Sequence, residues 1–488
     1  MLEAINNFLT SGWISTIFAF AAIASTIIIV FIILSENRNP VKSLAWVTVL
    51  LLLPVVGVIL YIFFGRSIKN KHMISRRNRR KLRRNKPAFN TNVHQLGLSE
   101  ETALQVNLGR SMQGAMLFPY NTVQVFPDGR GKFDSLIADL RGATHTINLQ
   151  YYIFEEDNIG REIADVLIHK ARQGVKVRVI YDHVGSIHVR NRFFRRLRDN
   201  GVEAYPFFRV SFPMLATRIN WRNHRKICII DGTAGYIGGM NIADRYIDGK
   251  PKFSTWRDTH VRVTGPIVHE LNYSFAVDWN FMCGELIDAD PAEENAKLIP
   301  APDAVRNVSM QMLTSGPTSQ WSNIALAFYK AIASSSRRVY IQTPYFLPTE
   351  SLLRVLQASA LSHVDVRIMM PRRSDSAMLS YASASYISEC LRAGIKIYFY
   401  EPGMLHSKTM IIDDEFVSIG STNFDFRSFD CNFEANLFFY SREFNARMVD
   451  RFREDLKQCT RVIPAVWRKR KITSRVAESI LRLLSPIL

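Results

Sequence analysis

The sequence predicts an α/β protein in which one strand–helix unit occurs twice, giving mixed sheets flanked by helices about a pseudo-twofold axis, behind an N-terminal transmembrane helical hairpin. Three observations carry this expectation. Two uncharged runs stand near the start, strand-like and helix-like segments alternate in the same order in two halves, and one polar motif recurs in each half with the same spacing.

The 488 residues suffice for about three domains of roughly 150 residues. A hydrophobic content of 47% and a charged content of 22% exclude a wholly disordered chain. The net charge of +19 is concentrated: residues 65–86 hold eleven Lys/Arg and no acid, and residues 466–488 hold six against Glu478 alone. Only +3 is left for everything else, so the excess forms two discrete basic patches, and no nucleic-acid partner is expected. The five cysteines are scattered without a C-x-x-C pair, which argues against a disulfide framework or a zinc site and for a reducing compartment.

The hairpin comes first, in residues 1–64. Residues 14–34 and 44–64 are each free of charge, and either run would reach about 30 Å as a helix, the thickness of a bilayer core. The joining stretch is short and polar, with Arg38, Asn39, Pro40 and Lys42, and Trp13, Trp46 and Tyr61 suit the membrane interfaces. The basic residues 65–110 that follow would face the cytoplasm by the positive-inside rule and lie where anionic headgroups concentrate.

Residues 111–295 and 296–465 are read as the two copies of the unit. In the first, residues 146–154 lead into a helical pattern at 161–173 and a strand at 175–181; in the second, residues 338–346 lead into 350–362 and 364–370. The wording recurs as well, INLQYYIF beside VYIQTPYF.

The most informative segments are NHRKICIIDGTAGYIGGMN, residues 223–241, and LHSKTMIIDDEFVSIGSTN, residues 405–423. His224, Lys226, Asp231, Gly238 and Asn241 match His406, Lys408, Asp413, Gly420 and Asn423 position for position. On a strand, His and Lys two residues apart share a face, whereas the Asp five residues on falls on the other and suits a turn or backbone hydrogen bonds. A neutral imidazole supplies a nucleophile or proton carrier near neutral pH, and a lysine supplies positive charge for phosphate oxygens. Asn241 and Asn423 add neutral donors, and a metal site is disfavoured because carboxylate or thiolate partners are lacking.

The pattern H-x-K-x4-D followed by G-x2-N resembles the duplicated signature of the phospholipase D superfamily. With the two apolar runs, the basic stretch and NHRK in the first motif, the whole chain resembles the bacterial cardiolipin synthases. That resemblance implies two phospholipase D-like domains whose motifs form one site carrying His224, Lys226, Asp231, His406, Lys408 and Asp413, with Asn241 and Asn423 on phosphate. One His would attack phosphorus to give a phosphatidyl-histidine while the other moves the proton. The symmetry of the sequence does not choose between them; analogy favours His224 as nucleophile. Asp258 in WRDTHVRV and Glu434 in NFEANLFF resemble the carboxylates that orient the paired imidazoles, although Asp258 lies seventeen residues beyond Asn241 and Glu434 eleven beyond Asn423. In the first copy Gly239 stands where the second has Ser421.

The implied reaction joins two phosphatidylglycerol molecules into cardiolipin and glycerol at the cytoplasmic face of a bacterial inner membrane, with no cofactor or metal. The nearest alternative is a phospholipase D-type hydrolase, and the next a membrane-tethered nuclease. Anionic inner-membrane lipids are the expected partners, and a homo-oligomer is compatible with the sequence. Residues 207–221 and 343–349 are candidate walls for acyl chains. In the C-terminal segment, residues 466–488, Ile472, Val476, Ile480, Leu483, Leu484 and Ile487 recur at helical spacing behind RKRK, a basic amphipathic pattern suited to an anionic membrane surface.

Overall fold

The computed structural model describes residues 12–35, 40–61, 65, 73–83, 93–209, 221–287, 301–483 and 485. The chain divides into two compact units, residues 1–68 with 210–220, and residues 69–209 with 221–488.

In the smaller unit the first apolar run lies within a helix, Gly12–Ser35, whose side chains are described in part. The second run is not one continuous segment. A 13-residue helix, Pro40–Leu52, ends at Leu53 (φ −135°), and a 7-residue helix, Pro54–Leu60, restarts from the proline. Pro54 has no N–H to continue the ladder, and its ring disfavours a helical residue before it. The longer piece reaches only ~20 Å, and among the described residues no helix is long and apolar enough to cross a membrane. Ile33, Leu50 and Tyr61 form a small core, with Trp46 set edge-on to Tyr61 at 5.3 Å.

The larger unit is built on one 15-stranded mixed sheet. From one edge inward, the first half contributes Glu203–Phe207, Lys176–Asp182, Thr146–Tyr151, Ile227–Ile230, Ala234–Gly238, His260–Thr264 and Leu117–Phe126. The second half continues with Val305–Ser315, Glu434–Tyr440, Phe416–Gly420, Thr409–Ile412, Arg338–Gln342, Asp365–Pro371, Lys396–Tyr400 and Cys459–Arg461. Apart from the last strand, the second list mirrors the first. The two expected sheets are thus halves of a single sheet, joined where Leu117–Phe126 pairs antiparallel with Val305–Ser315. Those two strands would otherwise be edges with unpaired backbone groups, and each satisfies the other.

Within each half the outer strands run parallel and are linked through helices, Asn158–Arg172 in the first and Glu350–Leu361 in the second. Asp157 and Thr349 cap the N-termini of these helices. Described residues of the basic stretch pack against this unit: Ile74 and Leu82 enter its core, and Asn78 donates to Asn280 at 3.2 Å. Residues 210–220, with Arg218, and the C-terminal Leu484 and Ile487 lie outside the described residues. All five cysteines are free thiols.

Candidate active site

Each motif begins in an extended stretch just ahead of a short strand, Ile227–Ile230 or Thr409–Ile412, and each stretch is tied to the opposite half of the chain. Asn223 forms a parallel bridge with Phe433, and the His224 N–H donates to the Phe433 carbonyl at 2.9 Å. In the mirrored place Met404–Leu405 pairs in parallel with Trp256–Arg257, and the His406 N–H donates to the Arg257 carbonyl at 2.7 Å. The residue after Phe433 is Glu434 and the residue after Arg257 is Asp258, so this pairing sets each carboxylate beside the histidine of the other half.

The side chains follow. His224 Nδ1 lies 3.0 Å and 3.1 Å from the two Glu434 oxygens and 3.1 Å from the Ser421 carbonyl. His406 Nδ1 lies 2.7 Å from Asp258 Oδ2. The orienting contacts are therefore crossed between halves, which symmetric motifs in a sequence do not disclose. Both carboxylates are fully buried; Glu434 also accepts from the Ser421 hydroxyl and from Asn432, and Asp258 accepts from the Thr259 N–H at 2.7 Å. At Gly239, the counterpart of Ser421, a Cβ would stand 2.1 Å from Asp258 Oδ1, so only glycine lets that carboxylate approach.

The lysines differ between halves. Lys226 Nζ donates to the His224 carbonyl at 2.5 Å, and Lys408 Nζ donates to the His406 carbonyl. Lys408 Nζ also stands 2.8 Å from His406 Nδ1 and 3.9 Å from Asp258.

Burial favours neutral forms throughout. It holds His224 below the ordinary imidazole value despite Glu434, with Lys226 and Lys408 lowering it further. Burial and Lys408 bring His406 down to about 4, against the pull of Asp258. Burial likewise depresses Lys226 well below its usual value and Lys408 to about 8. Burial alone would raise the carboxyls of Asp258 and Glu434, but the lysine and histidine around each outweigh it and hold both below the ordinary range. Lys408 acts on His224, and Asp258 on Lys226, so the two motifs share one electrostatic site.

Asp231 and Asp413 do not join the histidines. Asp231 lies beyond the strand and accepts from the N–H groups of Thr144, His145 and Thr146 at 2.7–2.8 Å. Asp413 accepts from those of Ser336, Arg337 and Arg338 at 2.8–2.9 Å. Both adopt positive φ, 49° and 47°, at the following turn. Grouped with the catalytic residues in the motif, they serve here to pin the start of the neighbouring strand.

Asn241 is occupied as well: its Oδ1 accepts from the Ile153 N–H at 3.1 Å and its Nδ2 donates to Tyr246 Oη at 2.9 Å. Asn423 is buried, donates its N–H to Ser428 Oγ at 3.2 Å and leaves its Oδ1 without a hydrogen-bond partner. The 343–349 segment adjoins it, since Thr343 Oγ1 accepts from the Phe424 N–H at 3.1 Å and Phe346–Leu347 pairs with Phe424–Asp425.

Several residues at the site escape the motif reading. Tyr152 packs edge-on to His224 at 5.0 Å, and Trp256 and Tyr246 flank His406 at 6.0 and 6.1 Å. Behind the first motif, Arg225 and Gln150 meet on Asp278 at 2.7 and 2.5 Å; behind the second, Arg257 and Gln342 meet on Asp455, both at 2.8 Å. The repeated Gln150 and Gln342 were a visible signal for these braces; the paired aspartates, far off in sequence, were not. Among the described residues no group of three or more His, Cys, Asp or Glu could hold a metal ion.

The family model described as cardiolipin synthase, PLD-like domain, matches residues 136–279 and 328–456, and one described as phospholipase D-nuclease N-terminal matches residues 22–66. The major cardiolipin synthase ClsA of Bacillus subtilis is 38% identical over 484 residues, 96% of this chain and 98% of that protein. A cardiolipin synthase of Listeria monocytogenes serotype 4a is 37% identical over 475 residues, 93% and 95% of the two chains. The crystal structure of a phosphatidylserine synthase from Haemophilus influenzae shares the fold, with a TM-score of 0.59 and 13% identity over 80% of this chain and all of that one. The chain belongs to the cardiolipin synthase family of phospholipase D-like proteins.

Proposed function

We propose that this chain is a membrane-bound phosphatidyltransferase that joins two phosphatidylglycerol molecules into cardiolipin and releases glycerol. The relatives named above support the activity, and one observation supports the division of labour: the two imidazoles have different neighbours at Nδ1. His224 Nδ1 faces acceptors, Glu434 and the Ser421 carbonyl, so it carries the proton and leaves Nε2 with a free lone pair. His406 Nδ1 faces one acceptor, Asp258, and one donor, Lys408, so its tautomer is not locked. The first arrangement suits a nucleophile, the second a proton carrier.

In the first step His224 Nε2 attacks phosphorus of the donor lipid and the P–O bond to glycerol breaks, with His406, protonated once the anionic phosphodiester lies beside it, passing a proton to the departing oxygen. In the second, His406 takes the proton from a glycerol hydroxyl of the acceptor lipid, whose oxygen attacks phosphorus as the P–N bond breaks. Lys226 and Lys408 balance the phosphodiester charge, and Asn241 and Asn423 line the same site. Glu434 and Asp258 hold the rings and offset the charge that develops on them.

Membrane association follows from the family, and we place the smaller unit in the bilayer with the α/β unit on the cytoplasmic side. Large apolar side chains of that unit are exposed, Phe20 at 74%, Phe31 at 71% and Leu52 at 74% among them, an uncommon surface in water. The full chain, purified and given phosphatidylglycerol, is expected to yield cardiolipin and glycerol in equal amounts. Phosphatidic acid as the main product would instead mark a hydrolase.

A further inference from the structure

The C-terminal helix, Ile472–Leu483, is docked with its polarity reversed. It packs on the helix Ala377–Arg392 through its charged and small side: Arg482 pairs with Glu389, and Glu478, buried, pairs with Arg470. Arg470 in turn stacks on Trp467 at 3.3 Å, and Trp467 donates to Ser388 at 3.2 Å, which clamps the segment ahead of the helix. Only Leu481 of the helix's large apolar residues packs against the core.

The opposite side is apolar and bare. Ile472, Val476, Ile480 and Leu483 are exposed at 73%, 53%, 57% and 80%, and their spacing of four, four and three places them on one stripe. Val466 just upstream is 68% exposed. A helix that only stabilised the fold would turn this stripe inward, because burying each such side chain contributes about 1.5–3 kcal/mol. Instead, ion pairs hold it outward.

The rim identifies the occupant. Arg468, Lys469, Lys471 and Arg475 are exposed on the helix or in the residues just before it, and the one acid of residues 466–483, Glu478, is buried and neutralised. An apolar stripe bordered by cations and free of exposed acid repels a second copy of itself and matches an anionic bilayer, with the apolar side chains among the upper acyl carbons and the cations at the headgroups. We infer that this helix is a membrane-docking face, separate from the N-terminal hairpin, that holds the α/β unit against anionic lipid. It goes beyond the reaction and does not depend on it.

The test uses the full-length chain with a photoreactive benzophenone side chain replacing Ile480, reconstituted in vesicles of phosphatidylglycerol and phosphatidylcholine. Position 480 is exposed, so the change removes no core packing. On illumination, lipid adducts are expected at 480, well above those from the same probe at the exposed Arg451, and falling at least about three-fold in phosphatidylcholine alone or in high salt. The yield should be the same in a chain also carrying His224→Ala, which separates this outcome from failure of the proposed reaction. Adduct levels at 480 no higher than at 451, insensitivity to lipid charge, or adducts joining two copies of the chain would each overturn the inference.

Discussion

His224 and His406 occupy mirrored places in two halves built from the same parts, yet their surroundings differ in three respects. Glu434 serves His224 and is itself tied down by the Ser421 hydroxyl, whereas Asp258 serves His406 across a glycine that has no hydroxyl to give. Lys226 keeps to the backbone, whereas Lys408 crowds the imidazole. Tyr152 borders the first ring, and Trp256 and Tyr246 border the second. A duplicated motif can therefore keep its repeated residues and still surround its two histidines differently, because neighbours that are not repeated, such as Ser421 against Gly239, set the contacts around each ring.

The largest effects should fall on the rings. His224→Ala and His406→Ala are each expected to lower cardiolipin formation by about 10³-fold or more, measured with radiolabelled phosphatidylglycerol. A variant that kept a tenth of the activity would remove that imidazole from the mechanism.

The next pair exchanges the residues that differ. Gly239→Ser puts a Cβ where Asp258 sits and should cost about 10²-fold in kcat by displacing the carboxylate. Ser421→Gly frees Glu434 from one hydrogen bond and takes the hydroxyl acceptor from the Ala435 N–H, and should cost about 3- to 10-fold in kcat. Equal losses in the two variants would mean that the half-sites are interchangeable.

The pH profile sharpens the contrast between lysines. Lys408 is cationic below about 8 and loses its charge as pH rises through that value, so activity should decline there. In Lys408→Arg the guanidinium stays charged, because its usual value is above about 12, and the alkaline limb should vanish even though the rate is lower. The same limb in the variant would assign the titration to another group.

The smallest effect on turnover belongs to the aspartates of the motif. Asp231→Ala and Asp413→Ala each remove three backbone hydrogen bonds at a strand start, so each should cost ~2 kcal/mol of stability and several degrees in Tm. The kcat of the folded fraction should stay near that of the unaltered chain; a loss comparable with the histidine variants would return these residues to the chemistry.

Much of this was readable from residues alone. The register of the two motifs identified the histidines and lysines, and strand alternation already turned Asp231 and Asp413 away from them. The crossing of Glu434 to His224 and of Asp258 to His406 was not readable, because it depends on parallel pairing between segments about 150–200 residues apart, which a period of two within a strand does not encode. The merging of two sheets into one was hidden for the same reason: nothing local marks Leu117–Phe126 and Val305–Ser315 as partners. The break at Leu53 has a local cause in Pro54, which the absence of charge across 44–64 does not reveal. The Gly239–Ser421 difference was visible, but only the structure shows that it bears on the carboxylates beside the two histidines.

His224 is the residue expected to become bonded to phosphorus. Full-length chain carrying His406→Asn, mixed with labelled phosphatidylglycerol and quenched in alkali, where a phosphoramidate survives, can be digested and the labelled peptide sequenced. The label is predicted on the peptide containing His224 and absent when His224→Asn is added; a label that persists in that double variant, or no label at all under conditions where glycerol is released, would contradict it.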